Sequence, residues 1–231
     1  MEIFFIITVV FIILILVSYS KTPARKGLAG EKAVNRVLKK AALIFGGLEF
    51  MDLMIEDAQA TAQIDNVLLT QRALYVIEMK NYSGMIFGSE SQKSWTMTIR
   101  HVNKRKSKSG RRYTKTHISK HSFYNPILQN ATHIRKLRSV CALPDSIPIF
   151  NIVVFGNDAD LSRLKKPESV YIEKVHQLFY LIEHLENMHQ DSISLKMQIE
   201  IVDTITDCNI TEKQKRIEHV KRLKEKHQPY S

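Results

Sequence analysis

The apolar positions of residues 64–80 fall into two short runs around a polar break at residues 71–72. Two such runs around a short polar loop predict a β-hairpin. A loop centred on residues 71–72 places Asp65 directly opposite Glu78. Opposed side chains have Cβ atoms about 5 Å apart, and like charges there are destabilising. The pattern therefore predicts a cation between the two carboxylates, with Lys80 one step further along the same face.

The rest of the chain predicts further helices and strands in mixed order. A helical pattern opens at residues 27–31, and Gly46-Gly47 ends it. Asn125 before Pro126 predicts another helix start, because asparagine caps a helix and proline suits its first position. The buried stripe predicted for that helix is Ile127, Ala131, Ile134, Leu137 and Cys141. Other predicted elements are strands at 48–55, 85–88, 95–99, 149–155 and 170–172, helices at 175–185 and 211–227, and an ambiguous segment at 192–205.

Glu31 lies in the opening part of the first predicted helix. It comes three residues before Val34, so helical spacing places it on the inward stripe. A buried carboxylate there is costly unless it has a partner. The alternative is a solvated glutamate in the first turn, favoured by the helix dipole.

The N-terminal segment is apolar from residue 3 to residue 19 apart from Thr8, Ser18 and Tyr19. These 17 residues make about 25 Å of helix, which predicts a short membrane anchor within residues 1–20. Lys21, Arg25 and Lys26 follow the run, so the positive-inside rule predicts a cytoplasmic C-terminal domain. A cleaved signal peptide is the alternative, although its basic leading region is missing.

Composition narrows the class of partner. The 231 residues carry a formal net charge of +11. This balance predicts an acidic partner, either nucleic acid or an anionic membrane surface. Two distant cysteines, Cys141 and Cys208, argue against a disulfide framework or a cysteine zinc site and fit a reducing compartment.

The positive charge is concentrated in one segment. From Ser91 to Pro144 there is no Asp or Glu, while the same 54 residues contain thirteen Lys and Arg. The composition of residues 100–120 predicts a mobile basic loop. Such a loop suits contacts to a phosphate backbone, and contact with anionic lipid is the alternative. The predicted nucleic-acid-binding residues are Lys104, Arg105, Lys106, Lys108, Arg111, Arg112 and Lys115.

Histidines in the same segment raise a second possibility. His117 and His121 are four residues apart, as on one helix face, and His101 precedes them. This spacing admits a zinc site. The polar surroundings favour a solvated or phosphate-contacting role instead. No glycine-rich phosphate loop and no nucleophile elbow occurs, so nucleotide hydrolysis and acyl transfer have no support.

The charged positions and the order of elements together resemble a known nuclease core. Asp65 and a Glu78-x-Lys80 pair on adjacent strands, with a helix before and after, resemble PD-(D/E)XK nucleases. More narrowly, the chain resembles the NERD family, the nuclease-related domain. The strings that carry this resemblance are Gly27 to Glu31, Ile64-Asp65, Val76 to Gly84, and Asn125 to Asn130 with His133-Ile134.

The resemblance implies an α/β fold in which helices flank a central mixed β-sheet. It implies that Asp65 and Glu78 are ligands of Mg²⁺ or Mn²⁺, with the Met79 carbonyl as a third oxygen. Oxygen ligands suit Mg²⁺, which also bridges substrate phosphate. Lys80 would orient or activate the attacking water and stabilise developing charge, and its pKa can fall on burial.

The resemblance also implies that Glu31 completes the outer shell and that Gln129 helps to hold the site. The implied function is a membrane-anchored, metal-dependent nuclease acting on DNA, or less favourably on RNA. The alternative is a non-catalytic nucleic-acid-binding or membrane-tethering module, since fold does not fix function. The predicted divisions are an anchor at 1–20, the nuclease-like domain at 26–142, a strand and helix completing the core at 143–190, and a charged helical region at 191–231.

Overall fold

The computed structural model of the chain describes residues 23–106, 112–189 and 192–226. The helices are α1 (Pro23–Ile44), α2 (Pro126–Val140), α3 (Leu178–Met188), α4 (Leu195–Cys208) and α5 (Lys213–Lys226), with a 3₁₀ turn at Val175–Gln177. The strands are β1 (Leu48–Glu56), β2 (Thr61–Leu69), β3 (Leu74–Lys80), β4 (Gly84–Phe87), β5 (Ser94–Lys106), β6 (Arg112–Tyr124), β7 (Ile149–Phe155), β8 (Ala159–Asp160) and β9 (Tyr171–Lys174).

The main sheet has five strands in the order β1-β2-β3-β7-β9. The first three strands run antiparallel, whereas β3, β7 and β9 are parallel. Leu69 pairs with Leu74 and Val67 with Val76, which confirms the register predicted for the hairpin. β7 matches the predicted strand at 149–155, and its apolar run is typical of a parallel strand covered on both faces.

Helices cover both faces of the main sheet. α1 and α3 pack on one face, where Leu38 joins Tyr75 and Ile77 in a buried cluster. α2 and α4 pack on the other face, where Leu137 joins Val76. Alternation along β3 therefore directs Tyr75 and Ile77 toward α1, and Val76 and the residues in phase with it toward α2. The fold is α/β with mixed sheets flanked by helices, as predicted.

A second sheet, in the order β6-β5-β4-β8, lies next to the main sheet. Trp95 of β5 is fully buried and stacks on Phe155 of β7 at a ring separation of 6.4 Å. Its ring N–H donates to the Ser89 carbonyl at 2.9 Å. The stacking of Trp95 on Phe155 fixes the base of β5 and β6 against the main sheet.

The predicted mobile loop at residues 100–120 is wrong, because most of this segment belongs to β5 and β6. The two strands pair from Ser94↔Tyr124 to Lys106↔Arg112. Val102 and Ile118, on this outer part, are 51% and 55% exposed. Apolar alternation marks a strand only where one face is buried, so this exposed ribbon carried no strand signal.

Several boundaries also differ from the predictions. α1 begins at Pro23, earlier than predicted, and the ambiguous segment at 192–205 contains a helix. On α2, Asn130 and His133 are buried, whereas the predicted stripe residues Ala131 and Ile134 are half-buried. The predicted anchor at 1–20 lies outside the described residues. Among those that are described, no helix is long and apolar enough to cross a membrane.

Candidate active site

The β2–β3 hairpin holds Asp65 against the backbone of β3. The paired register runs from Leu69↔Leu74 to Asn66↔Ile77. At the following position, Asp65 Oδ2 accepts the backbone N–H of Met79 at 3.0 Å. The Asp65 carboxylate therefore accepts a backbone hydrogen bond from β3, and this hydrogen bond fixes Asp65 close to Glu78.

Lys80 connects the hairpin to α2. Its Nζ donates to Glu78 Oε1 at 2.6 Å and to Gln129 Oε1 at 3.1 Å. The Glu78 side chain is only 2% exposed. Gln129 lies in the first turns of α2, which Asn125 caps by accepting the N–H of Ile127 at 2.9 Å. The helix start predicted from the sequence thus brings Gln129 to Lys80.

His133 is a buried neighbour of Glu78 to which the sequence analysis gave no role. It lies about one turn after Gln129, with its Nδ1 3.5 Å from Glu78 Oε2. Within the described part of the chain, neither atom has a hydrogen-bond partner. Burial lowers the pKa of His133 to about 4, so its ring is neutral at neutral pH. The signal in the sequence was the string matched to the NERD family, which contains His133.

The surroundings disfavour the charged forms of both carboxylates. Burial is the main reason that the pKa of Glu78 is raised, and Lys80 offsets it only in part. Burial, followed by the charge of Glu78, raises the pKa of Asp65 to about 6 despite the Met79 N–H. Two adjacent carboxyl groups with raised pKa values lack sufficient positive charge around them. A divalent cation would supply that charge.

Lys80 keeps its proton in this arrangement. Burial by itself lowers the pKa of the ammonium group, but the adjacent Glu78 carboxylate outweighs burial and the pKa is raised. The fall in pKa that the sequence analysis allowed for is therefore not found. A protonated Lys80 can donate hydrogen bonds and stabilise negative charge, but it cannot accept a proton.

Glu31 lies on α1, where the charge of Asp65 reaches it, but it does not line the cleft described below. The preceding Gly30 allows the helix to approach β3, because a Cβ there would lie 2.6 Å from the Met79 side chain. Glu31 is exposed, so the buried placement on the inward stripe is wrong and the solvated alternative is right about exposure, although Glu31 lies in the third turn of α1 and not in the first. Burial and the charges of Asp65 and Asp52 raise its pKa, which shows that Glu31 shares their electrostatic field.

An open cleft of about 890 Å³ is lined by Asp65, Lys80, Gln129 and His133, whereas Glu78 lies behind them and Glu31 is not part of its wall. This volume is within the range of about 300–1,000 Å³ found for ligand sites. Strands β2, β3 and β6 and helices α2 and α5 form its walls. The polar side chains that line it include Asp65, Lys80, Gln129, Thr132, His133 and Lys136.

The segment before α5 is attached to the outer strand of the main sheet. Asn209 Oδ1 accepts the Met54 N–H at 3.1 Å, and the Ile210 N–H donates to the Met54 carbonyl at 2.7 Å. On α5 itself, Arg216 donates to Asp52 Oδ2 at 2.6 Å. These contacts hold α5 against β1.

His219 of α5 forms part of the cleft wall. It is 6% exposed, and its Nδ1 lies 2.6 Å from Thr61 Oγ1 at the start of β2. No local pattern in the sequence could indicate this contact, because its partners are 158 residues apart. The charged C-terminal helix is therefore a structural part of the candidate site.

The residues predicted to bind nucleic acid are described only in part. Arg112 and Lys115 are exposed on β6. Lys104, Arg105 and Lys106 belong to β5, whereas Lys108 and Arg111 lie outside the described residues. Their role in binding stays a prediction.

The alternative zinc site lacks its expected helical geometry. His117 and His121 lie on a strand, and His101 opposes His117 with ring centroids 6.1 Å apart. Across residues 23–106, 112–189 and 192–226, no three His, Cys, Asp or Glu side chains are grouped closely enough to hold a metal ion.

The pair formed by Asp65 and Glu78 nevertheless fits Mg²⁺ or Mn²⁺. Mg²⁺ is commonly held by one or two carboxylates and keeps several waters. Glu78 Oε2 is a buried oxygen with no hydrogen-bond partner in the described structure, so it is available to a cation. The Met79 carbonyl as a third ligand stays a prediction.

The chain is similar to other known proteins. An uncharacterised protein of Bacillus anthracis is 29% identical over 207 residues, which span 88% of this chain and 86% of that protein. Among solved structures, Can2 from Sulfobacillus thermosulfidooxidans in complex with cyclic tetra-adenylate matches at a TM-score of 0.34 and 14% identity, over 71% of this chain and 38% of that one. The sequence profile of NERD, the nuclease-related domain, matches residues 26–156, which include α1, the hairpin, α2 and β7. The chain belongs to the nuclease-related domain family.

Proposed function

We propose that this protein is a divalent-metal-dependent nuclease that hydrolyses phosphodiester bonds in DNA. The observation that carries the proposal is the meeting of Asp65, Glu78 and Lys80 beside one open cleft. A purely structural ion pair between Glu78 and Lys80 would be complete without a second buried carboxyl group. Asp65 adds that second carboxyl group, and its raised pKa indicates a site that lacks positive charge.

The two carboxylates would hold the cation. A divalent cation supplies Lewis-acid stabilisation of negative charge at a phosphoryl group. Asp65 is held in place by the Met79 N–H, and Glu78 by Lys80, so the two ligands are pre-positioned on a rigid hairpin. His133 packs against the other side of Glu78 and limits the rotation of its carboxylate, which makes it a positioning residue.

Lys80 provides a proton donor beside the cation. An ammonium group has three N–H donors. Glu78 and Gln129 accept two of them, which leaves the third for a phosphate oxygen or for the attacking water. Gln129 therefore acts through Lys80 by restraining the direction of its N–H groups.

DNA as the substrate is supported by charge. The cleft borders on the acid-free segment from Ser91 to Pro144, whose Ser94, Ser122 and Tyr124 line it. Basic groups next to a cleft give affinity for a phosphate backbone without choosing a sequence.

The apolar run at residues 3–19 supports a single membrane anchor, with this domain on the cytoplasmic side.

A non-catalytic nucleic-acid-binding or membrane-tethering module is the second candidate. The same basic segment supports it, because phosphate contacts require no metal. The two candidates differ in what they require of Glu78. A binding module would keep its affinity for nucleic acid without that carboxylate, whereas a nuclease would lose cleavage.

The test is a cleavage assay of the purified full-length chain with duplex DNA, single-stranded DNA and RNA. Mg²⁺, Mn²⁺ and EDTA are compared. We expect metal-dependent cleavage of DNA that falls at least about 100-fold in Glu78→Gln, as when a group that stabilises charge is removed. Glu173→Gln, a partly exposed glutamate on β9 that pairs with Lys166, is the matched control and should retain activity. A folded chain that binds DNA but cleaves none of the substrates with either metal would favour the second candidate.

A further inference from the structure

The paired strands β5 and β6 form a long two-stranded arm whose base borders the cleft. Thirteen residue pairs connect Ser94↔Tyr124 at the base with Lys106↔Arg112 at the outer end. At about 3.4 Å per residue, the twelve steps along β5 extend roughly 40 Å. Since Ser94 and residues 122–124 at its base are the residues of the arm that line the cleft, the rest of the arm extends beyond it and can reach nucleic acid outside it.

The two faces of the arm differ at its base. Trp95 and Phe123, which oppose each other, pack into the core on one face. Ser94 and Tyr124 point to the other face and line the cleft. Because side chains alternate along a strand, every second residue from Ser94 continues this cleft-side face outward.

Three basic residues whose side chains are described lie on the cleft-side face beyond the cleft, namely Lys120, Arg100 and, at the outer end, Arg112. Lys120 and Arg100 are the two nearest the cleft. Lys120 pairs with Thr98, and Arg100 pairs with Ile118, so the two cations are diagonal neighbours. Lys120 lies two steps from Ser122, which lines the cleft, and Ile118, the partner of Arg100, lies four steps from it. The two cations are therefore about 7 and 14 Å from the cleft edge. Lys115 pairs with Asn103 and belongs to the opposite face. All four basic side chains are exposed.

These cations have no acidic partner in the part of the chain that the structure describes. Among the described residues, none of the ion pairs includes a residue of β5 or β6. Val102 and Ile118 add exposed apolar side chains to the same face. A face that combines cations with apolar β-branched groups complements a nucleic-acid groove, which has phosphates at its walls and base edges at its floor.

The continuous pairing of β5 and β6 spaces their side chains regularly, and a straight partner with regularly spaced phosphates matches that spacing best. Duplex DNA has a persistence length of about 50 nm, so its phosphates stay at fixed distances over the length of the arm. A single strand holds no such distances. The major groove, about 12 Å wide, also admits a two-stranded β-ribbon.

We propose that the cleft-side face of the β5–β6 arm, marked by Lys120 and Arg100, is a second binding site for duplex nucleic acid, separate from the cleft. It contacts the duplex about two to four base pairs from the cleft edge, given a rise of about 3.4 Å per base pair. The inference rests on the proposed function in one respect, namely that nucleic acid is the ligand of the cleft. Under this proposal the arm favours duplexes that are long enough to reach both the cleft and the arm.

The test measures binding of the full-length chain to labelled DNA by fluorescence anisotropy in EDTA, where no metal-dependent cleavage occurs. Duplexes of increasing length are compared with single strands of the same lengths. We expect duplex affinity to rise up to about 12 base pairs beyond the cleft, the length of the arm, and then to level off. Single strands should show no such plateau.

Charge-matched variants test whether Arg100 and Lys120 of the arm contact the duplex. Arg100→Gln and Lys120→Gln should each weaken duplex binding about fivefold and reduce the slope of log K against log salt by roughly 0.9. Lys196→Gln, exposed on α4 and away from the arm, is the charge-matched control and should change binding less than twofold.

The outcomes separate this inference from the proposed function. Duplex binding that depends on Arg100 and Lys120, without cleavage, supports the arm as a binding site and overturns the nuclease proposal. Cleavage by a protein in which Arg100→Gln and Lys120→Gln weaken duplex binding no more than Lys196→Gln does overturns the arm site. Single strands binding with the same length dependence would also overturn it. So would loss of binding to vesicles of anionic lipid, rather than to duplex DNA, in Arg100→Gln and Lys120→Gln.

Discussion

Asp65→Asn should stabilise the metal-free protein while it abolishes cleavage. Burial and the charge of Glu78 raise the pKa of Asp65 from 3.8 to about 6. The folded state therefore binds more protons than the unfolded state between these two values. Stability falls as the pH rises through this window, and the full penalty remains above pH 6. Asparagine carries no charge, and its side-chain oxygen can still accept the Met79 N–H.

The size of the effect follows from the shift. A displacement of about two pKa units corresponds to roughly 3 kcal/mol at neutral pH, which is an upper value because Asp65 and Glu78 titrate as a coupled pair. We expect Asp65→Asn to gain about 1–3 kcal/mol at pH 7.5. At pH 4 the gain should shrink to roughly 0.5 kcal/mol, because the aspartate is then protonated in the fold.

Urea unfolding in EDTA at pH 7.5 and pH 4, followed by circular dichroism, measures this gain. Asp145→Asn is the matched control, because the Asp145 side chain is fully exposed and its replacement should change stability by less than about 0.5 kcal/mol. Added Mg²⁺ should stabilise the wild-type protein and not the variant. The reasoning would be refuted by a variant less stable than wild type at pH 7.5, or by a gain of the same size at both pH values.

Three further perturbations test the supports of the site. Lys80→Met leaves Glu78 buried without its cation. Urea unfolding at pH 7.5 should show a free energy of unfolding lower by about 2–4 kcal/mol, and the loss should shrink toward pH 5. A loss that does not depend on pH would contradict an electrostatic cause. Asn125→Ala removes the cap of α2 and a side-chain amide that donates to the Gln92 carbonyl at 2.7 Å, and should cost about 2 kcal/mol in the same assay; a change under 0.5 kcal/mol would refute this. His219→Ala should raise KM for DNA about fivefold with kcat nearly unchanged, since it alters the wall of the cleft and one hydrogen bond; a fall in kcat alone would place His219 in the chemistry instead.

The hairpin was predictable because its apolar residues face cores on both sides of the sheet. Leu74 and Val76 belong to one buried cluster, and Tyr75, Ile77 and Met79 belong to a second, so the charged positions that follow Val76 on the same face were conspicuous. The cap at Asn125 was predictable for a similar reason, since one short string determines a helix start. These two local features already fix the placement of Asp65, Glu78 and Gln129.

What the sequence did not reveal depends on exposure or on long-range contacts. The β5–β6 arm has no buried face in its outer part, so its residues resembled a loop. His133 was missed because a buried polar residue interrupts the apolar stripe of α2, and the stripe was assigned to Ala131 and Ile134 instead. His219 reaches Thr61 across 158 residues, and no periodicity extends over that distance.

The docking of α5 on β1 has a consequence for synthesis of the protein. The ribosome completes the hairpin that carries Asp65 and Glu78 long before it reaches the helix that carries His219. A nascent chain therefore has the acidic pair but not the full cleft wall, because Arg216 and His219 have yet to dock on Asp52 and Thr61. The order of residues along the chain thus delays completion of the cleft until the last helix has emerged, by which time the apolar N-terminal segment has long been synthesised.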